Sequence, residues 1–196
     1  DYYFELTCDI DLAGIEWQGI DYFEGVFNGN GYSIKNMRFV KEIADSEVNY
    51  GLFKRARAVI YDLTLDEMII MLDLKNTQNK DNSSYIGGFV GSTNGDVLLY
   101  NCHVLNNSSI SVNNGYSWDR SNVGGLAGEC RYVINSSNGA NINAKNSKVG
   151  ALVGQCWEGV VKNSYNTGNI YCRGNDNILI NSNGRIYNSY NTGSVN

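Results

Sequence analysis

The chain has 196 residues, a formal net charge of −5 and a pI near 4.8, which argues against nucleic acid or an anionic membrane surface as a partner. No apolar run approaches the ~20 residues of a spanning helix, so membrane insertion by helices is not expected. A chain of this length forms one domain burying about 70% of its unfolded surface.

The first predicted element is the strand-like run from Phe4 to Leu12, followed by Trp17 and then Phe23 to Ile34. Asp1 begins directly in strand-like sequence, so no signal peptide is expected within this stretch and the targeting signals are expected elsewhere in a larger protein. The expectation is a single domain over 1–196 taken from a larger protein.

The next elements are short apolar runs broken by glycine: Tyr50-Gly51-Leu52-Phe53, Ile86 to Gly91, Val123 to Gly128 and Val149 to Gly154. They have the length of strands. Both faces are apolar or glycine, so the pattern indicates only that they pack tightly, because glycine weakens a strand unless something must approach closely.

Each run is followed by a second unit, written most clearly at Lys162-Asn163-Ser164-Tyr165-Asn166-Thr167-Gly168-Asn169-Ile170. It returns 25 residues later at Tyr187-Asn188-Ser189-Tyr190-Asn191-Thr192-Gly193-Ser194-Val195. An older copy stands at Asn135 to Ile142. The anchor column is read as Asn36, Asp62, Asn101, Asn135, Asn163 and Asn188, with steps of 26, 39, 34, 28 and 25. Two residues before each stand Ile34, Ile60, Leu99, Val133, Val161 and Ile186, an alternation of the half-buried strand type. A third strand follows the Asn-Thr-Gly turns at Ile142, Ile170 and Val195, where glycine supplies positive φ.

Short units repeated at 25 to 39 residues predict an all-β array in which each unit packs only on its neighbours. The fold expected is a right-handed parallel β-helix, a solenoid of about seven coils. The six anchors would form an internal amide ladder along the stacking direction of ~4.8 Å.

The run Val149 to Gly154 followed by Gly159 to Gly168 resembles the GLUG motif, and the segment from Phe4 to Ile34 is similar to the opening of such arrays. The matches span most of the chain. The motif occurs in tandem in large secreted and surface proteins of bacteria, among them adhesin-like proteins and the noncatalytic parts of M26-type IgA proteases. The resemblance implies a secreted or cell-surface module for adhesion or presentation, without chemistry of its own. The unit from Tyr50 lacks the second glycine, and Leu179-Ile180-Asn181-Ser182 stands where the last glycine strand belongs.

Little in the chain points to catalysis. His103 is the lone histidine and has no partner motif; its column, with Arg38, Thr64, Ser137, Tyr165 and Tyr190, reads as a surface row. HExxH, CxxC and Cys/His spacings are absent, so no metal and no cofactor are expected. Asp9 and Asp11 share one strand face and suit either a cation or a capping role. The alternative to a binding module is a carbohydrate-active β-helix enzyme, which needs two or three carboxylates along one groove. Cys130 and Cys156 share a column and read as buried small hydrophobes, with a disulfide as the other reading.

The longer steps contain polar insertions at 41–47, 76–84 and 113–122. The last holds Tyr116, Trp118 and Arg120, whose flat rings and planar donors suit a sugar or a protein hot spot. Trp118 could equally cover an end of the core. The partners expected are a host glycan or glycoprotein and the flanking domains of the parent chain.

Overall fold

Residues 2–43, 48–75, 83–115, 121–172 and 178–196 are described in a computed structural model. Among them the chain forms 24 strands and no helix, in sheets of 15, 5 and 4 strands. All the strand pairs are parallel and join residues one repeat apart. In the large sheet Ile60 faces Leu99, Leu99 faces Val133, Val133 faces Val161 and Val161 faces Ile186. The second sheet stacks Arg38–Ile43, Ile69–Leu74, Ser109–Asn114, Asn141–Lys145 and Ile170–Cys172. The third stacks Asn49–Tyr50, Ser84–Ile86, Ser121–Gly124 and Ser147–Gly150.

This corrects the expected right-handed solenoid with one internal amide ladder. The strands divide unequally among several sheets, and the largest sheet curls on itself. The 14-residue strand Phe53–Asp66 is one cause. It pairs with Phe23–Asn28 and Ser33–Lys35 on one side, and with Val90–Thr93 and Leu98–Val104 on the other. A bend at Asp62 (φ 52°) lies inside this strand, so segments before and after the bend belong to one sheet.

The internal placement of the amide ladder is corrected as well: anchors do bond one another, Asn101 Nδ2 donating to Asp62 Oδ1, Asn163 Nδ2 to Asn135 Oδ1 and Asn188 Nδ2 to Asn163 Oδ1, but outside the core. Asn36, Asp62, Asn101, Asn135, Asn163 and Asn188 all adopt positive φ, between 43° and 58°. None of the six is buried. The left-handed conformation breaks the two-residue alternation, and asparagine is among the residues that tolerate it. Val161 is buried, Lys162 and Asn163 are exposed, Ser164 is buried again and Asn166 is buried after it. The inward amides are therefore Asn138, Asn166 and Asn191, three residues past the anchors. Asn138 Nδ2 donates to Asn166 Oδ1 at 2.7 Å, and Asn166 Nδ2 donates to Asn191 Oδ1 at 2.6 Å.

Asn36 leaves the predicted column altogether. Ser33 faces Thr64 and Lys35 faces Asp66, so Asn36 lies one bend further on, beside Glu67. Gly29, whose N–H donates to Tyr61 O, takes the place opposite Asp62.

The core is a set of apolar columns. Ile60, Leu99, Val133 and Val161 are fully buried, as are Ile70 and Ile142. Phe53 stacks on Phe23 at 4.6 Å and meets Phe27 edge-on at 5.5 Å. Glycine is required where repeats approach most closely. The column Gly51, Gly87, Gly124 and Gly150 follows from the pairings of its neighbours. A Cβ at Gly124 would stand 2.1 Å from Ala127 O, and one at Gly150 2.0 Å from Val153 O.

Cys8, Cys102, Cys130 and Cys156 are free thiols, so Cys130 and Cys156 form no disulfide. Cys102, Cys130 and Cys156 are buried, and burial pushes all three thiols up, Cys102 to about 12 and Cys156 to about 11.

Candidate functional site

Tyr116, Trp118 and Arg120 lie outside the described residues. The strands that flank the segments 44–47, 76–82 and 116–120 are aligned, with Ile43 opposite Leu74 and Leu74 opposite Asn114.

On the outer face of the large sheet, two depressions of about 370 and 340 Å³ share Asp96. Each of five successive strands brings one charge to this groove. Glu24 faces Arg57 in register; Asp96, Arg131 and Glu158 stand at the entries to the next three strands. The signs alternate along a span of ~19 Å, four steps at the strand spacing. Arg57 Nη1 meets Glu24 Oε1 at 3.2 Å, and Arg131 Nη1 meets Asp96 Oδ1 at 2.6 Å. Asp96 raises the pKa of the Arg131 guanidinium, which also lies 5.7 Å from the centre of the Tyr132 ring. Glu129 Oε2 accepts from Thr93 N at 3.1 Å.

Trp157 stands at the edge of this groove, 57% exposed. A tight turn holds it there. Glu158 is left-handed (φ 49°), and a Cβ at Gly159 would stand 2.1 Å from Arg131 O and 2.6 Å from Cys156 Sγ. Trp157 falls in a short connection rather than an insertion, so its position in the sequence does not single it out. The alternating charges one repeat apart were the available signal.

His103 is half-buried and sits in a hydrogen-bonded row of four residues. Asn101 Nδ2 donates to Asp62 Oδ1 at 2.6 Å, which leaves Asn101 Oδ1 to accept from His103 Nε2 at 3.0 Å. The ring's other nitrogen, Nδ1, then accepts from Ser137 Oγ at 2.8 Å. A hydroxyl, an imidazole and an orienting amide share this order with acyl-transfer sites. Ser137 differs from an exposed nucleophile: it is buried, and its strand is paired on both sides. The row thus fixes register. The register column through His103 is a separate set: it runs Ser33, Thr64, His103, Ser137, Tyr165 and Tyr190, with Ser33 where Arg38 was expected and with Ser137 buried rather than on a surface row.

Burial lowers the pKa of His103 below its ordinary 6.5, with Asp62 pulling the other way. The fold prefers the neutral ring, so the unfolded chain takes up the proton first as acid is added. Stability is therefore expected to be complete above pH 6.5 and to fall as pH drops below it. Urea midpoints from pH 7.5 to 5.5 check this, and His103→Gln should flatten the slope.

Asp9 and Asp11 serve the backbone. Asp9 binds Lys35 at 2.7 Å and accepts from Ser33 N at 2.9 Å. Asp11 accepts from Asn36 Nδ2 at 2.8 Å and from Ala13 N at 2.9 Å. The partner groups hold both carboxyls below the usual range, Lys35 first for Asp9 and Asn36 first for Asp11. Among the described residues no group of three His, Cys, Asp or Glu side chains is arranged to hold a metal ion.

The structure defines an all-β protein of stacked parallel repeats. It is similar to the crystal structure of "a putative immunoglobulin A1 protease from Bacteroides ovatus", at 17% identity and a TM-score of 0.40, over 97% of this chain and 77% of that one. No family model and no curated protein matches the chain.

Proposed function

We propose that this chain is a noncatalytic binding module, serving adhesion or presentation on a secreted or cell-surface bacterial protein, and that its groove takes a glycan of the host. The observation that carries the reading is Trp157, 57% exposed beside the Arg131 and Asp96 pair. An exposed indole face next to planar, already oriented polar groups suits the apolar face and hydroxyl rim of a sugar. The carboxylate chemistry supports binding over catalysis. Glu24 and Asp96 are paired with arginines. Lys35, Asn36, Lys54 and Lys75 depress Asp9, Asp11, Asp21 and Asp73 in turn. A glycosidic general acid needs the opposite shift.

A glycan and host-protein array probed with wild type, Trp157→Ala and Trp118→Ala tests the reading. Binding should fall about tenfold or more in Trp157→Ala, the loss of a stacking contact worth ~1.4 kcal/mol. Loss in Trp118→Ala alone would move the site to the 116–120 segment. An array silent with wild type would contradict a glycan-binding role.

A further inference from the structure

The depression of about 370 Å³ on the outer face of the large sheet has a repeating floor. Val26, Val59, Leu98 and Tyr132 come from four successive strands and stand in register, Val26 opposite Val59, Val59 opposite Leu98 and Leu98 opposite Tyr132. Ile60, Leu99 and Val133, the residues that follow three of them, are buried in the core, so alternation turns the floor outward. Neighbouring strands lie ~4.8 Å apart, and the floor offers one apolar side chain at each such step. Tyr61 and Tyr100 lie two positions further along the same strands and face the same way, Tyr100 being 41% exposed. Trp157 closes the row beside Arg131.

The rim supplies polar groups at the same pitch. Glu24 bonds Arg57 and Asp96 bonds Arg131, so the two pairs together carry no net charge. A guanidinium has five N–H donors and a carboxylate about four acceptor sites, more than one ion pair consumes. Hydroxyl groups both donate and accept, and they fit a rim on which donors and acceptors alternate. A sulfate, uronate or ammonium group must break a pair or meet a like charge. An extended peptide finds no attachment here. The strands under the floor, Phe23–Asn28, Phe53–Asp66, Leu98–Val104 and Tyr132–Ile134, each have a partner strand on both sides, which leaves no main-chain edge to pair with.

We infer that, granted a glycan ligand as proposed above, the ligand is a linear, uncharged chain of equatorially linked pyranose rings, laid across the strands along the direction of stacking and bound through its interior. Such a chain is a flat ribbon whose rings are close to one strand spacing long. Each ring therefore meets one floor side chain and one rim group. Its apolar C–H face lies on Val26, Val59, Leu98 or Tyr132, its hydroxyl edge meets the rim, and Trp157 takes the last ring. The match between strand pitch and ring repeat lets the contacts add along the chain. The groove thus selects for length and for lack of charge, whereas Trp157 by itself would select a single ring.

The test titrates the full chain calorimetrically with neutral β-linked N-acetylglucosamine oligomers, from the disaccharide to the octasaccharide, and with hyaluronan oligomers of the same lengths as charged counterparts. Affinity should rise about threefold with each added neutral ring and level off at about five rings, one for each strand of the ~19 Å span. Hyaluronan should bind at least about tenfold more weakly. Val59→Asp breaks the floor at its second step and leaves the steps from Leu98 to Trp157, so its curve should level off at about three rings. Val59 is 36% exposed, and circular dichroism of the variant should match wild type. Val59→Thr, which keeps the branched shape, should weaken the pentasaccharide but not the trisaccharide. Affinity independent of length, stronger binding of hyaluronan, or array binding confined to charged or branched glycans would overturn the inference and leave the glycan reading in place. Silence toward the oligomers and the whole array would overturn both. Dimerisation that the oligomers do not reverse would assign the floor to a second copy instead.

Discussion

Asn166→Asp is expected to lose about 4 kcal/mol at pH 7, against about 2 kcal/mol for Asn166→Ala. Asn166 is fully buried and uses all of its amide. Its oxygen accepts from Asn138, and its nitrogen donates to Asn191 Oδ1 and to Gly168 O at 2.7 Å. Alanine removes these bonds and leaves partners unmet. Aspartate keeps the acceptor side but turns a charged oxygen toward two further acceptors. Such a carboxyl favours its protonated form in the fold, so its folded pKa lies above the unfolded ~3.9. The deficit relative to wild type is therefore small below that value and grows as pH rises through it. Urea unfolding of both variants at pH 4 and pH 7 separates the cases. Equal losses for Asp and Ala at both pH values would show that the amide nitrogen is not held as described.

Gly124→Ala is expected to cost about 3 kcal/mol or more, although it adds a single methyl group. Its Cβ would lie 2.1 Å from Ala127 O, 2.6 Å from Gly154 N and 2.8 Å from Leu152 O. All three are backbone atoms, those of Ala127 and Gly154 within paired strands, so no side chain can swing aside. Gly115→Ala is the control, since among the described residues its Cβ would meet Leu74 O alone, at 3.2 Å, and it should stay within about 1 kcal/mol of wild type. A thermal or urea melt of the two variants checks the contrast. Similar stabilities would mean that the glycine column does not mark the closest approach of the repeats.

The sequence revealed the repeat and the strand content because both are local. Val133, Val161 and Ile186 each stand two residues before an anchor asparagine, and those positions do face one another. The direction of the anchors was not legible. Alternation puts Asn163 on the same side as Val161, but a left-handed residue reverses the phase, and φ cannot be read from a lone asparagine. The same effect hid Asn138, Asn166 and Asn191, although each is written three residues past an anchor. Asn36 was assigned by spacing to Asp62, whereas pairing puts it beside Glu67, because the first two repeats carry an extra bend between Asn28 and Ser33 that the later ones lack. The division into sheets of 15, 5 and 4 strands depends on Phe53–Asp66 running on through its bend, which is a property of long-range pairing. The groove at Trp157 combines five strands that are far apart in the chain, so composition could not display it.

Proton NMR of the folded chain tests the central claim, that successive repeats lie parallel and in register. Cross-strand amide to Hα contacts should link Val133 with Val161 and Val161 with Ile186, on the parallel pattern. Close Hα to Hα contacts of the antiparallel kind among these residues, or partners displaced by one position, would contradict it.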